Sequence, residues 1–92
     1  MITLSEACKI AKKELESETT FIKPECRDLS DSWCFDWGWK KTPQENKVGL
    51  PELRVYKATG NIEDFPKSSI PTEEEFQLME NALKINISEY IK

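Results

Sequence analysis

The chain contains no histidine among its 92 residues. That absence excludes a Ser-His or Cys-His nucleophile and an imidazole metal site. Only three glycines are present, too few to build a Gly-rich phosphate loop. No apolar run approaches the roughly 18 residues of a membrane span. Met1 leads straight into a helix pattern, with no basic segment followed by an apolar leader core. Cysteine is scarce too. Cys8, Cys26 and Cys34 are an odd number without metal-site spacing, and they read as reduced thiols of a cytoplasmic protein. The sequon Asn86-Ile87-Ser88 lies within a helix pattern behind no export signal, so it is discounted.

Basic charge is also in the minority, 13 residues against 17 acidic ones, for a formal net charge of −4. Phosphate backbones demand clustered Lys and Arg, so a nucleic-acid partner is not expected. If charge selects anything, it selects a basic protein partner, although −4 is also ordinary for a soluble domain. With 38% hydrophobic and 33% charged residues, the composition is that of one ordered domain over residues 1–92. A domain this small needs an efficient core.

What the chain does have is aromatics, concentrated in Ser32-Trp33-Cys34-Phe35-Asp36-Trp37-Gly38-Trp39, which holds all three tryptophans. In a β-strand, alternate positions share a face, so Trp33, Phe35, Trp37 and Trp39 line one side. Cys34, Asp36 and Gly38 line the other. Two readings compete: a sheet face inside the core, and a stacking platform for a ligand. Size favours the core. The platform reading rests mainly on Trp39, at the strand end beside Lys40 and Lys41.

Two helices are predicted to cover that face. Thr3 and Glu6 form a capping box, followed by an apolar stripe of Leu4, Ala7, Cys8, Ala11 and Leu15. Cys8, in mid-stripe, reads as a core residue. At the other end Thr72 and Glu75 repeat the box, with Glu73, Glu74 and Glu75 suited to the helix dipole. Phe76, Met79, Leu83, Ile87, Tyr90 and Ile91 then predict a long amphipathic helix.

Between the helices, Thr19–Lys23 reads as a strand closed by Pro24, and Cys26–Asp31 as a polar turn. The tryptophan strand follows, and Lys41–Pro51, with no period, reads as a loop. Leu53 and Val55 mark a third strand. Thr59-Gly60-Asn61 marks a turn, and Ile62–Phe65 a short fourth strand ended by Pro66. The expected fold is α+β and two-layered: helix, four-stranded mainly antiparallel sheet, helix, with both helices on one sheet face.

The acidic segments Glu14-Glu16-Glu18 and Glu73-Glu74-Glu75 fall on helix surfaces and read as solvated faces. Asp36, between two tryptophans, could pair with Arg54 or meet a partner. Catalysis by a carboxylate needs a second acid or base held in reach, and no such residue is identifiable. No enzyme, no cofactor and no metal site are expected.

In order along the chain, Met1-Ile2-Thr3 opens into an alanine-bearing helix, and Trp33 is followed by Phe35. Then comes Leu53-Arg54-Val55-Tyr56-Lys57-Ala58-Thr59-Gly60-Asn61-Ile62, and Pro71 leads into Glu73-Glu74-Glu75-Phe76. This order resembles the YrhB-like small bacterial proteins grouped as the immunity protein 35 family. The best match is the strand, Lys-x-Thr-Gly-x-Ile turn and next strand of residues 53–62. The resemblance implies a cytoplasmic, non-catalytic bacterial immunity protein. Its partner would be a cognate toxin of a polymorphic or contact-dependent toxin system, which it binds and neutralises.

Function then resides in a surface, for which three candidates arise. One is the sheet face with Cys34, Asp36, Gly38, Glu52, Arg54 and Tyr56, where Tyr and Arg suit interface anchors. The second is a seam of Leu78, Ala82 and Ile85 on the last helix, which would serve a homodimer. The third is the loop from Lys40 to Leu50. Candidate partner-binding residues are therefore Asp36, Trp39, Glu52, Arg54, Tyr56, Leu78 and Ile85. The alternative to immunity is a chaperone-like or regulatory protein-interaction module without a toxin partner. A ligand-binding module using the aromatics is the third reading.

Overall fold

The computed structural model describes residues 1–41, 50–68 and 70–92. Helix α1 (Leu4–Leu15) is followed by β1 (Thr20–Asp28), β2 (Ser32–Trp39), β3 (Glu52–Tyr56) and β4 (Ile62–Phe65). Helix α2 (Glu73–Asn81) and strand β5 (Leu83–Asn86) complete the chain. The strands form a five-stranded sheet in the order β4-β3-β2-β1-β5, with antiparallel neighbours throughout. Among the described residues, no helix is long and apolar enough to cross a membrane.

Both helices begin as their sequences dictate. The hydroxyl of Thr3 accepts from the Glu6 amide while Glu6 accepts from the Thr3 amide. Thr72 and Glu75 repeat this reciprocal pairing, which satisfies two otherwise orphaned amides per helix. Along α1 the small residues Ala7, Cys8 and Ala11 are fully buried, so the helix seats close on the sheet. They pack with Ile22, Cys26, Trp33, Phe35, Leu53 and Val55.

Cross-strand register places residues on faces, because directly opposed residues share one. Trp33 opposes Val55, and Phe35 opposes Leu53 on one side and Cys26 on the other. This set faces α1. The register puts Trp37 and Trp39 on that same face, opposite Ile22 and Thr20. Trp33 and Phe35 are buried, whereas Trp37 and Trp39 are half-buried. The aromatic strand is thus core in its first half and rim in its second. Gly38, on the other face, lies under the ring of Phe21 opposite, where a Cβ would sit 2.8 Å from the ring carbons. The β3–β4 turn forms as expected, with Gly60 at φ +78°.

The expected four strands become five. The predicted last helix stops at Asn81, and Leu83–Asn86 pairs antiparallel with β1 as an edge strand. The predicted stripe is thereby dispersed: Ile87 enters the core, while Phe76, Leu83 and Tyr90 are exposed. Nor do the helices share a sheet face. Leu78, Met79 and Ala82 pack on Leu29, Cys34 and Phe65, the side away from α1. The architecture is helix, sheet, helix. A charged sheet face still has apolar spots at Cys34 and Phe65, and α2 covers them.

β1 also runs on past Pro24 to Asp28, reducing the expected Cys26–Asp31 turn to Leu29–Asp31. Its pairing with β2 is irregular between Ile22 and Cys26, where Lys23, Pro24 and Glu25 face the single Asp36. Such a bulge tolerates a proline that a regular ladder would reject. Most of the Lys40–Leu50 loop, residues 42–49, lies outside the described residues.

Candidate functional site

The sheet face away from α1 is built from polar positions that alternate with the core. The adjacent strands β2 and β3 bring Asp36, Glu52, Arg54 and Tyr56 to it, as their parity requires. Arg27 opposes Cys34, and Cys34 opposes Arg54, which opposes Glu63. The charges answer one another across the strands. Lys23 Nζ lies 3.1 Å from Asp36, and Arg27 lies 3.3 Å from Glu52.

Arg54 is the most deeply held of these groups, with its side chain 11% exposed. Its Nε–H donates to Ser32 Oγ at 2.8 Å, and Ser32 donates to Asp31 at 2.8 Å. Arg54 Nη2 closes the ring on the same Asp31 oxygen at 3.0 Å. The guanidinium carbon sits 4.7 Å from the Tyr56 ring centre and 5.3 Å from that of Phe65. Burial opposes ionisation of Asp31, but the hydrogen bonds from Ser32 and Arg54 outweigh it and hold the carboxyl below its ordinary range. The Tyr56 hydroxyl donates to Glu63 at 2.7 Å. That bond, more than Lys67 nearby, lowers the Glu63 carboxyl, and it raises the Tyr56 phenol.

Beside this network the bulged strand opens a cleft of about 260 Å³ lined by Lys23, Pro24, Glu25, Arg27, Cys34, Asp36 and Glu52 among others. Its lining presents both signs of charge. Cys34, buried at its base, donates to Glu52 Oε1 at 3.1 Å. Burial, reinforced by the Glu52 charge, pushes the thiol far above its ordinary range. Burial likewise raises Cys8 to about 11 and Cys26 to about 12. Thiolate is the reactive form, and burial holds all three thiols in the protonated form. With an aromatic disulfide reagent at neutral pH, the three thiols should react only slowly in native protein and promptly in denaturant. One rapidly titrating thiol in native protein would contradict this burial.

The structure brings only part of the expected site together. Asp36, Glu52, Arg54 and Tyr56 share the polar face, yet Asp36 pairs with Lys23 rather than Arg54. Asp36 also accepts from the Trp37 amide at 2.8 Å. Trp39 lies on the opposite face, edge-on to Trp37 with ring centres 4.9 Å apart. Among the described residues its buried indole nitrogen has no hydrogen-bond partner. Leu78 faces inward onto the Phe65 cluster, and Ile85 belongs to β5 and packs toward α1. The Leu78-Ala82-Ile85 seam therefore does not exist, because the helix that would carry it ends before Ile85.

Sequence reasoning missed Lys23, Arg27, Asp31 and Glu63. Glu63 was findable, since it alternates with Ile62 and Asp64 in a strand correctly placed. Arg27 was hidden by reading Cys26–Asp31 as a turn.

Comparison with protein-family models, with curated proteins and with solved structures finds no match in any of the three.

Proposed function

We propose that the chain is a non-catalytic immunity protein that binds and neutralises a cognate protein toxin in the bacterial cytoplasm. The observation that carries this reading is the convergence of Asp36 and Glu52, with Lys23 and Arg27, around one open cleft on the polar face. Exposed ion pairs like Lys23–Asp36 contribute little to folding, so they can be exchanged for pairs with a partner at low cost. The lining offers hydrogen-bond donors and acceptors of both signs above the buried Cys34, which favours a polar protein surface over a small apolar ligand.

Within this reading the anchors divide by burial. Arg54 and Tyr56 stiffen the face from within. Asp36 and Glu52, with side chains 32% and 20% exposed, are the residues that meet the partner. The immunity assignment is further supported by the motif order along the chain and by the β3–β4 hairpin around Gly60. Cytoplasmic placement is supported by three unpaired thiols.

Co-expression with the product of the adjacent gene tests the proposal. A defined complex is expected to co-purify and to abolish the neighbour's toxicity. Asp36→Lys should weaken that complex by reversing charge at the cleft while leaving the fold intact. A harmless neighbour that forms no complex would sink the immunity reading and favour the chaperone-like or regulatory alternative.

A further inference from the structure

The edge strand β5 carries an interaction surface that is independent of the toxin reading. The Ile87 amide donates to the Pro24 carbonyl at 2.9 Å, which sets the hydrogen-bonding phase of the β1–β5 ladder. In that phase Leu83 and Ile85 turn their backbone groups toward β1. Lys84 and Asn86 turn theirs outward, along an exposed edge. The C-terminal residues do not cover it. They leave toward α1, where Ile91 packs against the core and Lys12 Nζ donates to its carbonyl at 2.9 Å.

We propose that the chain pairs with a second copy of itself through β5, antiparallel and edge to edge, about a two-fold axis at Ile85. Sheet parity restricts the pairing, because opposed residues must lie on the same face. One register opposes Lys84 to Lys84, which places like charges face to face. A second opposes Asn86 to Asn86 and leaves Lys84 facing Ser88, past the end of β5. The third opposes Lys84 to Asn86 of the second copy, twice by symmetry. It uses all the outward backbone groups of Lys84 and Asn86 and sets Ile85 against Ile85 on the α1 side. Leu83, 73% exposed in the single chain, gains an apolar neighbour there.

Charge supports the same register. Within one chain Lys84 directly opposes Arg27, another cation, and reaches Glu25 only diagonally at 3.9 Å. In the pair, the second copy's Glu25 lies about 10 Å across two strand spacings, a gap that the two side chains close between them. The opposite edge lacks this complementarity. β4 carries Glu63 and Asp64 at its centre, and adjacent carboxylates keep an edge from pairing with itself. A four-residue strand buries far less than the roughly 1,200–2,000 Å² of a stable interface, so the dimer is weak and exchanges quickly.

Sedimentation velocity of the full chain across a concentration series tests the pairing, together with amide exchange at Lys84 and Asn86. The expected result is a monomer–dimer equilibrium, with both amides slowing as concentration rises. Lys84→Pro removes only an outward N–H and should weaken association by roughly tenfold or more, with an unchanged tryptophan spectrum. If that variant fails to fold, the exchange of the two amides in the native chain decides alone. A chain that stays monomeric at millimolar concentration overturns the proposal, as does a folded Lys84→Pro that still dimerises. Growth beyond a dimer overturns it too, since β5 would then be meeting β4.

Discussion

Phe35→Ala should lower the urea midpoint by roughly 2 M. Phe35 is 0% exposed in β2, the central strand, with Cys26 and Leu53 opposite it on either side. Above it lie Ala7, Cys8 and Ala11, also fully buried. These residues are short, and their backbone is fixed by the helix. They cannot collapse into the space a missing ring leaves. The expected cost is therefore toward the upper part of the roughly 3–5 kcal/mol range for such truncations. Small domains hold only about 5–15 kcal/mol in total. Trp39→Phe provides the contrast, since Trp39 is half-buried at the strand end and its indole nitrogen forms no hydrogen bond among the described residues. Its midpoint should move several-fold less. Equal shifts in the two variants would mean that the aromatic strand does not divide into core and rim.

That division explains why the aromatic run was only half legible. Period-2 spacing assigns all four rings to one face, and the register agrees. Spacing says nothing of how far α1 extends over that face, and the contact ends where the helix ends at Leu15. Local chemistry was readable wherever one residue supplies its own reason. The two Thr-x-x-Glu boxes and the glycine with positive φ at residue 60 are such cases.

β5 was hidden for a different reason. Over Phe76–Ile91 a 3.6-residue stripe and a two-residue alternation coexist, since Leu83, Ile85 and Ile87 also alternate with Lys84, Asn86 and Ser88. Two isoleucines within three residues favour a strand, but what decides is the open edge of β1. That edge is a non-local fact. The same holds for the side on which α2 lies. Only the pairing of β3 with β4 shows that Phe65 emerges on the polar face and needs a cover.

Arg54→Met should cost on the order of 2–4 kcal/mol at neutral pH, the largest effect expected from any polar residue of the candidate site. Methionine fills much of the space between the Tyr56 and Phe65 rings, so packing is largely kept. What is lost is the cation that closes the Ser32–Asp31 ring and faces Glu63 at 3.7 Å. Arg54→Lys keeps the charge but not the fork. One ammonium cannot donate to Ser32 and Asp31 in the same geometry while lying flat between two rings. It should recover less than half of the loss. Acid provides the second readout. Asp31 and Glu63 have folded pKa values below their ordinary ones, so their contribution is present above pH ~4 and fades as pH falls through the folded values. The gap between the native chain and Arg54→Met should accordingly be widest near neutrality and narrow as pH falls through those lowered values. Both carboxylates are partly open to water, so this acid-sensitive share is the smaller part, and the cation's contact with the two rings and its bond to Ser32 are the larger. A gap independent of pH would assign the whole effect to those contacts. Arg54 would then act as a structural strut of the face that carries Asp36 and Glu52, and take no part in its charge balance.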